Sequence, residues 1–151
     1  MTSESHPPAI LYTFNRRHVA ADAVVALASM RTALFDRMRS TIASWNPEPT
    51  AAWVLGSFAR GDATADSDID ILIVRPDSVG EDDPTWHRQI AQFDQDVREW
   101  SGNDCNTVEF GRREFAELIA SRERLPADVA DDGIHLFGEP IPRGAIRRAK
   151  T

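Results

Sequence analysis

Apolar positions along the chain change their period several times, and each change marks an element. Between His18 and Trp45 the residues Leu27, Met30, Leu34, Met38 and Ile42 recur every three or four positions, which is the stripe of a long amphipathic helix. Asn15 is placed to cap it, and Pro47 and Pro49 end it, because proline has no amide to continue the ladder. Ala51 to Leu55 is an unbroken apolar run of strand length. It leads into a Gly56-Ser57 turn and a charged loop, Arg60 to Ser67, before a second strand, Ile69 to Val74. Asp83 can cap a helix that opens on Pro84, carries Trp86, Ile90, Phe93, Val97 and Trp100 as its inner stripe, and closes at Ser101-Gly102. Asn106 to Phe110 alternates as a third strand, Glu114 to Arg122 reads as a short helix, and Val129 to Phe137 passes through Gly133 into a final apolar stretch. Ile10 to Phe14 has the β-branched and aromatic content of one more brief strand.

Helices and strands in this order predict an α+β domain, a small mixed β-sheet with helices packed on it. With 151 residues, 42% of them hydrophobic, the chain can build one core and is too short for two ordinary domains. The expected organisation is a disordered polar tail over 1–9, a folded domain over 10–138 and a basic tail over 139–151 that holds Arg143, Arg147, Arg148 and Lys150. No apolar run nears the roughly 20 residues of a membrane span and the N-terminus lacks the pattern of a secretion signal, so the expected location is the cytoplasm.

A formal charge of −7, with acidic clusters at Asp62 to Asp70 and Glu81 to Asp83, argues against broad electrostatic capture of nucleic acid. The single cysteine, Cys105, can form neither an internal disulfide nor a metal knuckle, and the four histidines stand far apart with no pair at ligand spacing. Trp45, Trp53, Trp86 and Trp100 fit core packing better than base stacking.

The candidate chemistry lies in Ser67-Asp68-Ile69-Asp70-Ile71-Leu72-Ile73-Val74. Side chains alternate along a strand, so Asp68 and Asp70 share one face while Ile69, Ile71 and Ile73 share the other. Two carboxylates converging on one point repel each other unless a cation stands between them, and Mg²⁺ is suited to a site of one or two carboxylates plus substrate phosphates. An Asp-x-Asp pair alone is as well explained by a solvated strand face. What changes its meaning is Gly56-Ser57-Phe58-Ala59-Arg60-Gly61 directly after an apolar strand: glycine allows the backbone close to a phosphate, exposed amides and the Ser57 hydroxyl can donate to its oxygens, and Arg60 adds positive charge.

These two segments together resemble the signature of the polymerase-beta nucleotidyltransferase superfamily, in particular its minimal nucleotidyltransferase branch, and the resemblance extends more loosely from about Tyr12 to Gly138. It implies that Gly56 and Ser57, with Arg60, hold the nucleotide's phosphates, that Asp68 and Asp70 ligate metal, and that a third acidic residue on a later strand completes the set. Glu109, between apolar neighbours where a carboxylate is otherwise expensive, is the expected third member, with Asp104 the alternative. The implied reaction transfers a nucleoside monophosphate, AMP from ATP or its equivalent from another nucleoside triphosphate, to a hydroxyl of a protein, a tRNA or a small molecule. Pyrophosphate leaves, and two Mg²⁺ ions about 3.5–4 Å apart assist. The same resemblance brings in a toxin–antitoxin partner as an expectation, and with it an alternative function: an antitoxin or regulatory module that keeps the fold and acts by occluding a partner.

Overall fold

The computed structural model describes residues 15–121 and 124–141, with Leu27 and Ala28 described by backbone alone. The expected strand Ile10 to Phe14, the whole of the expected N-terminal tail 1–9 and the basic cluster Arg143 to Lys150 lie outside these residues. The chain divides at Arg31 into two units. In the first, a turn closed by the His18 amide on the Asn15 carbonyl (3.1 Å) precedes helix α1, Ala21–Ala43. The Asn15 side chain accepts from the Arg17 amide, so it organises this turn and not the helix start, which corrects the expected cap. Val24, Val25 and Met30 on this part of α1 are exposed.

The second unit holds the rest of α1 and a sheet of four strands, β1 (Ala51–Leu55), β2 (Ile69–Arg75), β3 (Cys105–Gly111) and β4 (Ile134–Gly138), in the spatial order β3-β2-β1-β4. The pairs β1–β2 and β1–β4 are antiparallel and β2–β3 is parallel, as expected of a mixed sheet. Parallel pairing needs a crossover, and α3 (Pro84–Ser101) supplies it. Its start follows the sequence signal, with Asp83 accepting from the Trp86 amide at 2.8 Å and Pro84 at the first position; Gly102, at φ 75°, closes it.

Alternation along the strands divides the core in two. Ala52, Val54, Ile69, Ile71 and Ile73 face Leu34, Phe35, Met38 and Ile42 of α1 and Trp86, Phe93 and Val97 of α3. Trp45 meets Trp86 and Phe93 edge to face, each at 5.7 Å between ring centroids, an arrangement the ring quadrupoles favour. On the opposite face Trp53, Leu72 and Val74 pack beneath Phe115 of α4 (Arg112–Ala120) and Val129 of α5 (Arg124–Asp132). Two elements depart from expectation. Gly56-Ser57 opens a five-residue helix, α2 (Gly56–Arg60), where a simple turn was predicted, and α5 forms over a segment that carried no helix signal.

Candidate active site

Asp68 and Asp70 stand at the beginning of β2, Asp68 just ahead of the first strand residue. Asp70 shares its face with Leu72 and Val74, whose burial under α4 and α5 fixes which way the carboxylate projects. Its carboxyl is held above the ordinary value of 3.8, first by burial and then by the negative charge of Asp68, so the two groups are electrostatically coupled. Among the described residues this pair gathers no third His, Cys, Asp or Glu able to hold a metal with it.

Opposite the pair lies the bend after β1. Leu55 is the cross-strand partner of Asp70, and Gly56 follows it at φ +68°, a conformation that side-chain-bearing residues rarely adopt. A Cβ on Gly56 would stand 2.7 Å from Asp70 Oδ2, so glycine is required both by the backbone and by the approach of the carboxylate. Leu55, preceding α2, offers no side-chain cap. The bend therefore brings the backbone at Gly56 and the Ser57 side chain beside the carboxylates. Arg60, in the last turn of α2, pairs with Asp62 (Nε to Oδ2, 3.4 Å) with both side chains about half exposed. Gly56 and Arg60 also line a cleft of about 500 Å³ together with Leu55, Arg124, Leu125, Asp128, Asp132 and Gly133.

Glu109 does not join this arrangement, which corrects its expected place. In the β2–β3 register it stands beside Ile73, on the face opposite Asp70. There its Oε1 accepts from Arg75 Nη1 at 2.7 Å, and the arginine, 11% exposed, is also 3.6 Å from Glu81. The carboxylate found between apolar neighbours is therefore satisfied by a nearly buried guanidinium. Asp104 does not complete the set either: it is exposed ahead of β3, and its Oδ1 lies 3.9 Å from Arg98 Nε.

Two asparagines that sequence reasoning passed over do reach the carboxylate segment. Asn106 is the register partner of Asp70 across β2–β3, and its Nδ2 donates to Asp68 Oδ2 at 3.2 Å. Asn103, between α3 and β3, donates through Nδ2 to the carbonyls of Ser67 (2.9 Å) and Ala65 (3.0 Å), so one amide ties down the loop that delivers Asp68. Ser67 Oγ accepts from the Thr64 amide at 2.8 Å and tightens the same loop. Gly102-Asn103 after a helix reads as an ordinary exit, and nothing in the sequence marked either amide.

The other chemically capable side chains lie elsewhere. Cys105 is buried, and burial, followed by the charge of Asp94, pushes its thiol up to about 12. Asp94 also accepts from Thr107. His135 packs edge-on against Trp53, with ring centroids 6.1 Å apart, while His18 and His87 are exposed.

No helix among the described residues is long and apolar enough to cross a membrane. Two solved structures of toxin–antitoxin assemblies are similar to this chain: one with AMP-PNP (18% identity, TM-score 0.45) and one of a mutant of the pair MntA–HpeT (15% identity, TM-score 0.47), each covering 70% of this chain and 73% of the other. A third, a candidate nucleotidyltransferase from Sulfolobus solfataricus, is 17% identical with a TM-score of 0.45, over 78% of this chain and 87% of the other. No curated protein matches the sequence. The model of the nucleotidyltransferase domain matches residues 37–138, a span that takes in the bend at Gly56, both aspartates and all four strands, and by that match the chain belongs to the nucleotidyltransferase domain family.

Proposed function

We propose that the chain transfers a nucleoside monophosphate, AMP from ATP in the first instance, to a hydroxyl of a protein, a tRNA or a small molecule in the cytoplasm, with Asp68 and Asp70 holding Mg²⁺. The observation that carries this reading is the placement of the coupled pair against Gly56, where a single added carbon would fill the gap to Asp70. The donor set fits the ion, since carboxylate oxygens suit a hard cation that keeps waters and takes the rest of its shell from phosphates. When bound, Mg²⁺ would neutralise charge on the phosphates and on both carboxylates.

The chain's own groups would act by position. The backbone at Gly56 and the Ser57 hydroxyl hold phosphate oxygens, and Arg60 exchanges Asp62 for the departing pyrophosphate. Asp68 and Asp70, by holding the ion, would set where the triphosphate lies and so whether its α-phosphorus stands in line with the acceptor oxygen. A bond forms from that oxygen to phosphorus, the bond to the β-phosphate bridging oxygen breaks, and the hydroxyl proton passes to solvent. The cleft beside Gly56, with Leu55 and Leu125 as apolar walls and Asp128 and Asp132 as hydroxyl acceptors, suits the nucleoside or the acceptor.

A second reading is favoured by the two-carboxylate site itself: with no third acidic group beside the pair among the described residues, the fold would serve a toxin–antitoxin partner by occlusion. Calorimetric titration of ATP and Mg²⁺ into the wild type and into Asp68→Ala/Asp70→Ala separates the two. Metal-dependent binding lost in the double variant supports the transferase, and equal, metal-independent behaviour of both proteins supports the occluding module. Incubation of cell lysate with labelled nucleotides then identifies the acceptor as protein, RNA or small molecule.

A further inference from the structure

The parallel register sets Asn106 directly beside Asp70, and its amide donates to Asp68 Oδ2 at 3.2 Å, so one neutral side chain neighbours one carboxylate and binds the other. No other strand residue is as well placed to complete the set: Val108 is two positions farther along the same face, and Glu109 is turned to the other face and held by Arg75. Asn103, three residues earlier in the chain, holds the loop ahead of Asp68 through the Ala65 and Ser67 carbonyls.

Resting on the functional reading above, we propose that Asn106 is a positioning residue that occupies the third place of the site and limits its charge to that of two carboxylates. Its amide orients Asp68 while adding no negative charge. A free divalent ion, which must surrender hydration to be held, then finds too little charge to bind tightly, whereas an ion already carried by a triphosphate finds enough. The site therefore takes metal and nucleotide as one unit, and the identity of this single side chain decides that preference.

The test uses Mn²⁺ alone, followed by the paramagnetic signal of the free ion, on the full chain and on Asn106→Asp and Asn106→Ala. An added carboxylate beside the pair is expected to tighten Mn²⁺ binding roughly tenfold or more in Asn106→Asp. Removing the amide is expected to weaken binding roughly tenfold in Asn106→Ala, the usual cost of losing a group that orients a ligand. Asn106 is exposed on an edge strand, so both variants should fold, and circular dichroism checks this. Unchanged Mn²⁺ affinity in folded Asn106→Asp, or wild-type affinity in Asn106→Ala, overturns the proposal. Asp68→Ala/Asp70→Ala in the same assay, with and without ATP, separates the two failures: if that variant loses nucleotide-dependent Mn²⁺ binding while Asn106→Asp changes nothing, only the role of Asn106 falls.

Discussion

Arg75 donates to Glu109 at 2.7 Å on the sheet face turned away from Asp70, so the acidic residue of β3 that looks best suited to chemistry belongs to an ion pair. With the guanidinium only 11% exposed, removing its partner leaves a charge dependent on the exposed Glu81. Glu109→Ala is expected to lower stability by about 1.5–3 kcal/mol, measured by chemical denaturation, with nucleotide affinity retained. Loss of nucleotide binding at full stability would return Glu109 to the site.

Gly56 is where backbone and chemistry make the same demand. A left-handed conformation costs a side-chain-bearing residue roughly 1–2 kcal/mol. The added methyl also meets Asp70 Oδ2 at 2.7 Å. Gly56→Ala should therefore both lower the melting temperature and abolish nucleotide binding, whereas Gly61→Ala, at φ +83° but with open space around it, should show the first effect with little of the second. Equal nucleotide affinity in the two variants would argue against the bend as the phosphate site.

Asp70 predicts a pH dependence. Its folded carboxyl stays protonated above the ordinary value of 3.8, so in the interval between the unfolded and folded values the native state binds more protons, and its stability falls as pH rises through that interval. Below it both states are protonated and the penalty vanishes. Asp70→Asn should accordingly be more heat-stable than the wild type near neutral pH without divalent ions, the advantage fading in acid, while losing transferase activity. Adding Mg²⁺ with ATP should raise the melting temperature of the wild type and leave the variant unmoved. A variant no more stable than the wild type at neutral pH would show that the charge is already compensated.

Asn103 should matter more to affinity than to stability. Asn103→Ala releases the Ala65 and Ser67 carbonyls in an exposed loop, where water can replace the lost donor, but frees the segment that presents Asp68. The expected result is a weaker apparent affinity for nucleotide, with the melting temperature changed by no more than a surface substitution normally causes. Unaltered affinity would mean that the bond from Asn106 and the start of β2 place Asp68 without help from Asn103.

Elements with strong internal signals were legible in the sequence. The inner stripe of α3, its Asp83-Pro84 start and its Gly102 stop all act locally, and the apolar runs of β1 and β2 leave little choice of structure. α5 was not legible because Arg124–Asp132 offers Leu125 and Val129 among charged residues and a proline, and only the surface of Trp53, Leu72 and Val74 gives it something to cover. α2 is too short to establish a period. Asp68 and Asp70 were candidates from parity and from the glycine bend, both readable along one segment. The placing of Asn106 beside Asp70 was not, because strand alternation says which residues of β3 share a face but not which one stands beside Asp70; that is decided by register, which follows from the packing of the strands and of the α3 crossover.

β3 is an outer strand, and the face of it that borders the carboxylates is open at Asn106. Substitutions there leave the interior untouched, so a lineage carrying this fold can exchange one acidic or amide group for another without first acquiring compensating changes. The charge at this border can thus be altered at a single position while the packed layers beneath keep their shape.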